Sequence, residues 1–506
     1  GWPKCGISRL TGRAAVCSIN VMSEPWLRVA SAAALCALSA LSCSSSASGG
    51  SATHDAAGTS AGGTTATSGG TSSNSGGSPG SANDAGAGGT ASASGGSTAS
   101  GDHAGGAGAS SSVSGGAGSA GSSGVAGAPG AGWSGTFPTF TKHTIASFNA
   151  GYALAVADID HDGMPDVVAL SSGSAGLVWF KNPSWTKYTI TSVAKQLIFT
   201  APYDVNGDGH VDLALISDFD MNDTTGGGTV SWAEAPADPT KNQEWALHPI
   251  DAIPTSHRLR WADLDGDGKK ELIDLPLFGA GSTGTAHAGA VQLKAYFIPA
   301  DPRAGTWTSK VLDDQRLEVA HGIEIVDWDG DQAEDILTAA NDGVDLFRPS
   351  LTNPVEHLGS GKDGQAPNKG SSEIALGTLG GARFFATIEP WHGTDAVIYT
   401  PGTANSPLWD RKVLGSPFEH GHGLAAGDFN ADGFDEVVGG GGQGKLAQYI
   451  FRYVPSSGTW DQIELDVGGV AVSGIEVEDL NGDGALDIVA IGGSPTNNVV
   501  WYENSR

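Results

Sequence analysis

The sequence predicts an all-β fold, a seven-bladed β-propeller, over residues 133–506. Three observations predict it. An acidic nine-residue segment recurs six times, a short β-branched run follows each copy, and an aromatic residue with an aliphatic one five places later precedes each copy by about 19 residues. Four short strands repeated every 45 to 65 residues, with Gly, Pro and Asn between them, are the pattern of propeller blades.

The first acidic segment is "DIDHDGMPD", with Asp158, Asp160, Asp162 and Asp166. The next copies place Asp204, Asn206, Asp208 and Asp212, then Asp263, Asp265, Asp267 and Glu271, then Asp327, Asp329, Asp331 and Asp335. The last two place Asp428, Asn430, Asp432 and Glu436, then Asp479, Asn481, Asp483 and Asp487. Two carboxylates about 4 Å apart repel by roughly 4 kcal/mol at an effective dielectric near 20, so such a loop calls for a cation. Oxygen ligands at alternate positions, a glycine for a sharp turn and a closing carboxylate suit a hard ion such as calcium. The fourth copy has Gln332 in place of the turn glycine and is expected to be the weakest site.

The 21 acids at these positions account for much of the formal net charge of −29, and six divalent ions would return twelve positive charges. No basic patch offsets the remainder, which excludes nucleic acid as a partner. Cys5, Cys17, Cys36 and Cys43 all precede the propeller, so it has no disulfide, and calcium is expected to staple it instead.

The outer-strand pairs run Phe140/Ile145, Trp185/Ile190, Trp245/Ile250, Trp307/Leu312, Trp409/Leu414 and Trp460/Leu465. Second strands read "DVVAL", "DLALI", "DILTA", "DEVVG" and "DIVAI", and third strands end in "LVWF", "TVSW", "KAYF" and "VVWY". The gap from Asp327 to Asp428 is double length, and "SSEIALGTLGGARFFATIEPWHGTDAVIYT" fills it as a fifth blade without an acidic loop. The chain stops one strand short after "VVWYENSR", and "FTKHTI" (Phe140 to Ile145) is expected to supply the missing outer strand. These blades resemble the FG-GAP/VCBS repeats of α-integrin-type seven-bladed propellers.

Residues 44–132 are almost entirely Ser, Gly, Ala and Thr, with no aromatic residue, Lys or Arg, which predicts a disordered linker. Residues 1–43 contain "MSEPWLRVASAAALCALSALSC", an arginine, an apolar stretch and small residues in the order of a secretory leader. Met22 is the expected true start, and "ALSC" resembles a lipoprotein cleavage site ending at Cys43. The expectation is an exported protein on the outer surface or in the periplasm, held at the membrane only through a lipid at Cys43, and a monomer.

Function is expected at the channel mouth opposite the acidic loops, because those loops are distributed around the ring and cannot converge. Six residues before the acidic segment lie His257, His321 and His422, at the start of the innermost strand of blades three, four and six. Tyr152, Ile198 and Ser473 take that place in blades one, two and seven. Glu389 and His392 in "TIEPWHG" of blade five, with Arg258, His287, Glu419 and His420, complete a sector of imidazoles and charged groups. His257, His321 and His422 are candidate ligands of zinc or manganese. Arg258, His287 and His420 are candidate ligand-binding residues, and Glu389 with His392 a candidate acid/base pair. Tryptophans and tyrosines in register with outer strands are expected to pack between blades.

The segments "ATIEPWHGTDAVIYT", "DRKVL" and "GHGLAAGDFNADGFDEVVGG" look like parts of the propeller in aldos-2-ulose dehydratase-type sugar enzymes. That resemblance implies elimination of water from keto-sugars, a metal in the propeller, and site roles for Glu389, His392, His422 and His321. The chain departs from the pattern in "VVGGGGQGK", which lacks an expected arginine, and no cupin-like domain follows. Two functions are therefore weighed: binding of a carbohydrate or surface protein at the channel mouth, or a metal-assisted lyase or dehydratase acting on a keto-sugar.

Overall fold

The computed structural model describes residues 135–173, 176–283, 287–350, 355–403 and 406–506. The leader, the linker and Cys43 lie outside the described residues, as do Trp133 and Ser134. Among the described residues there are 28 strands and no helix, arranged as seven antiparallel four-stranded sheets. The first six blades are consecutive runs, from β2 (Gly151–Ala157) to β5 (Thr186–Thr191) in blade one through to β22 (Gly421–Gly427) to β25 (Thr459–Val467) in blade six. In the seventh, β26 (Val472–Glu478), β27 (Asp487–Gly492) and β28 (Asn498–Asn504) are joined by β1 (Phe140–Ser147) from the other end of the sequence.

That closure is the one expected from the outer-strand signal. β1 pairs antiparallel with β28, from Phe140 opposite Asn504 to Ser147 opposite Asn498. Ile145 is buried against Val489 and Val499, and Phe140 packs edge-on against Phe429 of blade six at 5.7 Å. Without β1 the hydrogen-bonding edge of β28 is open and these apolar contacts are lost. Deleting residues up to 147 is expected to lower the melting temperature by on the order of 10 °C, since one buried and one half-buried large side chain together with the strand's hydrogen bonds are worth several kcal/mol. An unchanged calorimetric melt would show that β1 does not hold the ring shut.

Every blade runs outward from the axis. The first strands of successive blades, β2, β6 (Phe199–Tyr203), β10 (Ser256–Ala262), β14 (Gly322–Val326), β18 (Ile374–Leu379), β22 and β26, pack side by side around the channel. Second strands are buried on both faces, as β3 (Asp166–Ser171) and β7 (Asp212–Ser217) illustrate, which is why they read as continuous β-branched runs. Fourth strands such as β13 (Thr308–Asp313) are largely exposed. The tryptophans fill the seams between blades: Trp261 lies 4.8 Å from Tyr203, Trp185 6.3 Å from Trp501, and Trp328 5.5 Å from Trp409.

Each of the six acidic segments joins the first and second strands of its own blade. Its closing acid is held by the fold. Asp166 accepts the Ile159 and Asn182 amides at 3.0 and 2.8 Å, and Asp212, Glu271, Asp335, Glu436 and Asp487 each accept the amide seven residues upstream. The opening aspartate accepts amides of the turn, as Asp204 does from Gly207, Asp208 and Gly209. In blade one the Lys181 ammonium lies against Asp160 and Asp162, so that loop also draws positive charge from its own third strand. Blade five has instead a tight hairpin between β18 and β19 (Ala382–Glu389), with Gly380 and Gly381 both at positive φ (59° and 88°), the conformation a two-residue type I′ turn demands.

Candidate metal centre at the channel mouth

A repeated backbone device aims side chains into the mouth. In five blades the residue two places before the first channel-facing side chain has positive φ: Ala150 (51°), Gln196 (49°), Thr255 (60°), Val319 (49°) and His420 (57°). This left-handed residue turns the chain from the rim down into the innermost strand, and in Thr255 and Val319 a β-branched residue carries that strain. Pairing then slips by one residue at Tyr152, His257, His422 and Ser473, each of which sits in a β-bulge. A bulge leaves its extra residue unpaired and re-aims it. The ring of positions is therefore Tyr152, Ile198, His257, His321, Glu373, His422 and Ser473, one from each blade.

Three of the sequence-predicted residues converge. His321, His392 and His422 each present a ring nitrogen within 4.8 Å of the other two. His321 Nε2 and His392 Nε2 are 3.2 Å apart. The far side of two rings is already engaged: His321 Nδ1 lies 2.9 Å from Glu373 Oε1, and His422 Nδ1 lies 2.8 Å from the Ser473 carbonyl. A protonated Nδ1 on each ring leaves Nε2 as the unprotonated nitrogen, and an acceptor behind a ligating imidazole fixes its tautomer and orientation.

His257 stands beside this group and outside it. Its Nε2 is 3.2 Å from Tyr152 Oη, which in turn is 3.1 Å from His422 Nε2, and Arg258 Nη1 donates to the His257 ring from 3.0 Å. Arg258 is pinned by Glu373, to which its Nη2 donates at 3.1 Å, and its guanidinium also covers the Phe199 ring at 5.1 Å. His420 reaches the rim, 4.2 Å between ring centroids from His392. His287 does not join them: its ring stacks on Phe278 at 3.7 Å, and Phe278 meets Trp391 edge-on at 5.8 Å, forming an aromatic wall beside the mouth.

Glu389 is also placed elsewhere. Its carboxylate is fully buried and turns into blade five, accepting hydrogen bonds from Tyr399 Oη at 2.7 Å and Arg411 Nε at 2.9 Å. The carboxylate beside the imidazoles belongs to Glu373, which the acidic-loop count did not reach because blade five has no loop to count from. Counting back from the "FFATIE" strand to its hairpin partner would have located it. Beneath the ring, Arg260, Glu324 and Glu476 line a small cavity of about 60 Å³ that Tyr152, Glu373 and His422 share.

The electrostatics keep the imidazoles neutral. Burial first, and the neighbouring Arg258 and imidazoles second, hold His257 and His392 well below the ordinary histidine range, and His422 is pushed down to about 3 by burial and His321. Burial alone would raise Glu373, but the hydrogen bond from the facing His321 ring and the permanent charge of Arg258 outweigh it and hold the carboxyl below its ordinary range. Neutral rings and an ionised carboxylate behind one of them are the protonation states that metal binding needs. One pair of donors has the spacing that zinc needs, and the third nitrogen lies within 4.8 Å of both. A tetrahedral ion with bonds of 2.0–2.1 Å sets its nitrogens about 3.4 Å apart, close to the 3.2 Å between His321 and His392.

Comparisons with known proteins bear on the same region. Residues 227–402 match the family model of the aldos-2-ulose dehydratase β-propeller domain. Residues 158–215 and 428–490 match FG-GAP-like repeats. No curated protein sequence matches. Among solved structures, the rhamnogalacturonan lyase YesW is 13% identical with a TM-score of 0.38, over 72% of this chain and 74% of that one. An Agrocybe aegerita lectin that recognises non-reducing terminal N-acetylglucosamine is 12% identical with a TM-score of 0.39, over 63% and 81%. BBS1N in complex with ARL6DN is 10% identical with a TM-score of 0.47, over 73% and 97%. The chain folds as a seven-bladed β-propeller, in which parts of blades one, two, six and seven match FG-GAP-like repeats and blades two to five match the aldos-2-ulose dehydratase propeller.

Proposed function

We propose that the protein is an exported, calcium-stabilised propeller that carries out a metal-assisted elimination of water from a keto-sugar or related carbohydrate at its channel mouth. The single observation that carries this reading is the convergence of His321, His392 and His422 with acceptors already behind two of the rings. The match of residues 227–402 to a sugar-dehydratase propeller supports the substrate class. His321, His392 and His422 would hold zinc or manganese, and such an ion, when bound, polarises a carbonyl or activates water.

The chain's own residues have distinct tasks in this reading. Glu373 and the Ser473 carbonyl hold the two imidazoles in one tautomer. Arg258, fixed by Glu373, presents a permanent positive charge toward substrate oxygens. Tyr152 Oη, between His257 Nε2 and His422 Nε2, is the hydroxyl placed to hand a proton to a departing oxygen, with His257 behind it. In the reaction a C–H bond next to the carbonyl and a C–O bond one carbon further break, a conjugated double bond and one water form, and the proton lost from carbon replaces the one that the Tyr152–His257 pair gives to the departing oxygen.

A panel of anhydro- and keto-sugars tests the reading. The expected result is an ultraviolet absorbance from the conjugated enone that grows with time in the zinc- or manganese-loaded protein. Calcium alone in the purified protein, with no sugar consumed, would leave a carbohydrate- or protein-binding propeller. The leader-like segment ending at Cys43 supports export and a lipid tether. Mass spectrometry of the membrane fraction is expected to find a diacylated Cys43, and an unmodified mature N-terminus would remove the tether from the proposal.

A further inference from the structure

Blade five lacks an acidic loop at one end and carries a buried polar cluster at the other. The Glu389 carboxylate accepts hydrogen bonds from Ser371 Oγ at 3.2 Å, Thr387 Oγ1 at 2.9 Å, Tyr399 Oη at 2.7 Å and Arg411 Nε at 2.9 Å. Those donors come from the segment entering β18, from β19, from β20 (Asp395–Thr400) and from β21 (Asp410–Gly415), so one carboxylate ties together every strand of the blade. The six loop-bearing blades are fastened at the opposite face.

The end of β19 and the turn that follows Glu389 reach three members of the histidine centre. The Ile388 amide donates to the Glu373 carbonyl at 3.3 Å. His392 lies in the turn itself, at a positive φ of 48°, where Gly393 N donates to the Pro390 carbonyl at 2.7 Å. The Gly393 carbonyl accepts from Gly421 N at 2.9 Å, immediately before His422. The turn is tight enough that a Cβ on Gly393 would lie 2.2 Å from the Glu389 backbone. We infer that Glu389, held by Arg411, is a positioning residue for the metal centre: it sets Glu373, His392 and His422 in mutual register without touching substrate. This rests on the reading of His321, His392 and His422 as metal ligands.

The test uses the full chain in calcium, with Glu389→Gln and Arg411→Met. Competition against a chelating dye is expected to show zinc held about tenfold more weakly in both, the scale of an outer-shell loss, with calcium content unchanged. Amide exchange at Gly393 and Ser372 is expected to rise about tenfold while β3 and β7 stay as in the wild type. Tyr399→Phe, which removes one hydroxyl and keeps the ion pair, is expected to fold normally and weaken zinc to a smaller degree, so misfolding of the first two variants leaves the inference testable. Zinc affinity at the wild-type level in all folded variants would overturn it, as would faster exchange with no change in zinc, which makes the cluster a blade staple alone. Wild-type protein that takes up no zinc would sink the reading of the centre. The positioning role then stands if the His392 and His422 imidazole nitrogen signals shift in Glu389→Gln, and falls if they do not.

Discussion

Replacing His321 or His422 with alanine is expected to cost the protein about one equivalent of zinc or manganese while leaving its calcium content intact. Each side chain supplies one of three nitrogens that meet within 4.8 Å, and each has its other nitrogen committed to Glu373 or the Ser473 carbonyl. Neither position can be made good by a neighbour, since His257 is held by Tyr152 and Arg258. Turnover of a keto-sugar is expected to fall roughly a thousandfold, because the ion's stabilisation of developing charge is worth several kcal/mol and each 1.36 kcal/mol is a factor of ten. His287→Ala is the matched control: its ring rests on Phe278, away from the three nitrogens, and its metal content is expected to be that of the wild type. Elemental analysis of the four proteins decides the matter, and retention of the metal in both ligand variants would move the site elsewhere.

Chelation is expected to destabilise the protein about as much as the loss of β1. At a tenfold excess of ligand over Kd each site adds about 1.4 kcal/mol, hence about 8 kcal/mol for six, a shift on the order of 10 °C. The pH dependence distinguishes calcium from an incidental ion. Without metal, burial is the main force that raises the closing acids, their backbone hydrogen bonds opposing it and the other loop carboxylates adding to it. Asp166 and Asp212 are pushed up to about 7, Asp335 and Asp487 to about 6 and Glu436 to about 9.

A carboxyl with a folded-state pKa above its unfolded value favours the fold in its protonated form. Its contribution is fully present at low pH and is lost as pH rises through the folded value. The calcium-free protein is therefore expected to melt at progressively lower temperature from about pH 5 to pH 9. Calcium-saturated protein is expected to be nearly flat over that window, because the ion supplies the charge that burial withholds. Parallel calorimetric profiles with and without chelator would overturn the assignment of calcium to these loops.

How much was legible follows from the reach of each signal. The acidic segment, the β-branched second strand and the aromatic of the outer strand are local, repeat in step and must fall in the same place in every blade. Counting from the segment therefore reached His257, His321 and His422 correctly as starts of innermost strands. Glu373 escaped because blade five has no segment to count from. Glu389 looked like a partner of His392 at three residues' distance, yet a strand-end side chain turns toward whichever partner lies nearest in space. Here Arg411 and Tyr399, on two other strands, draw it into the blade.

The sequence by itself determined seven blades, six acidic turns between first and second strands, and the return of the N-terminal strand to shut the ring, since each is read from a local strand pattern that recurs blade by blade. Only the tertiary structure decided which side chains meet in the channel. His321, His392 and His422 come from three different blades, brought together by the curvature of the ring. Their backing carboxylate and the buried charge of Glu389 are sorted by contacts between residues that are remote along the chain.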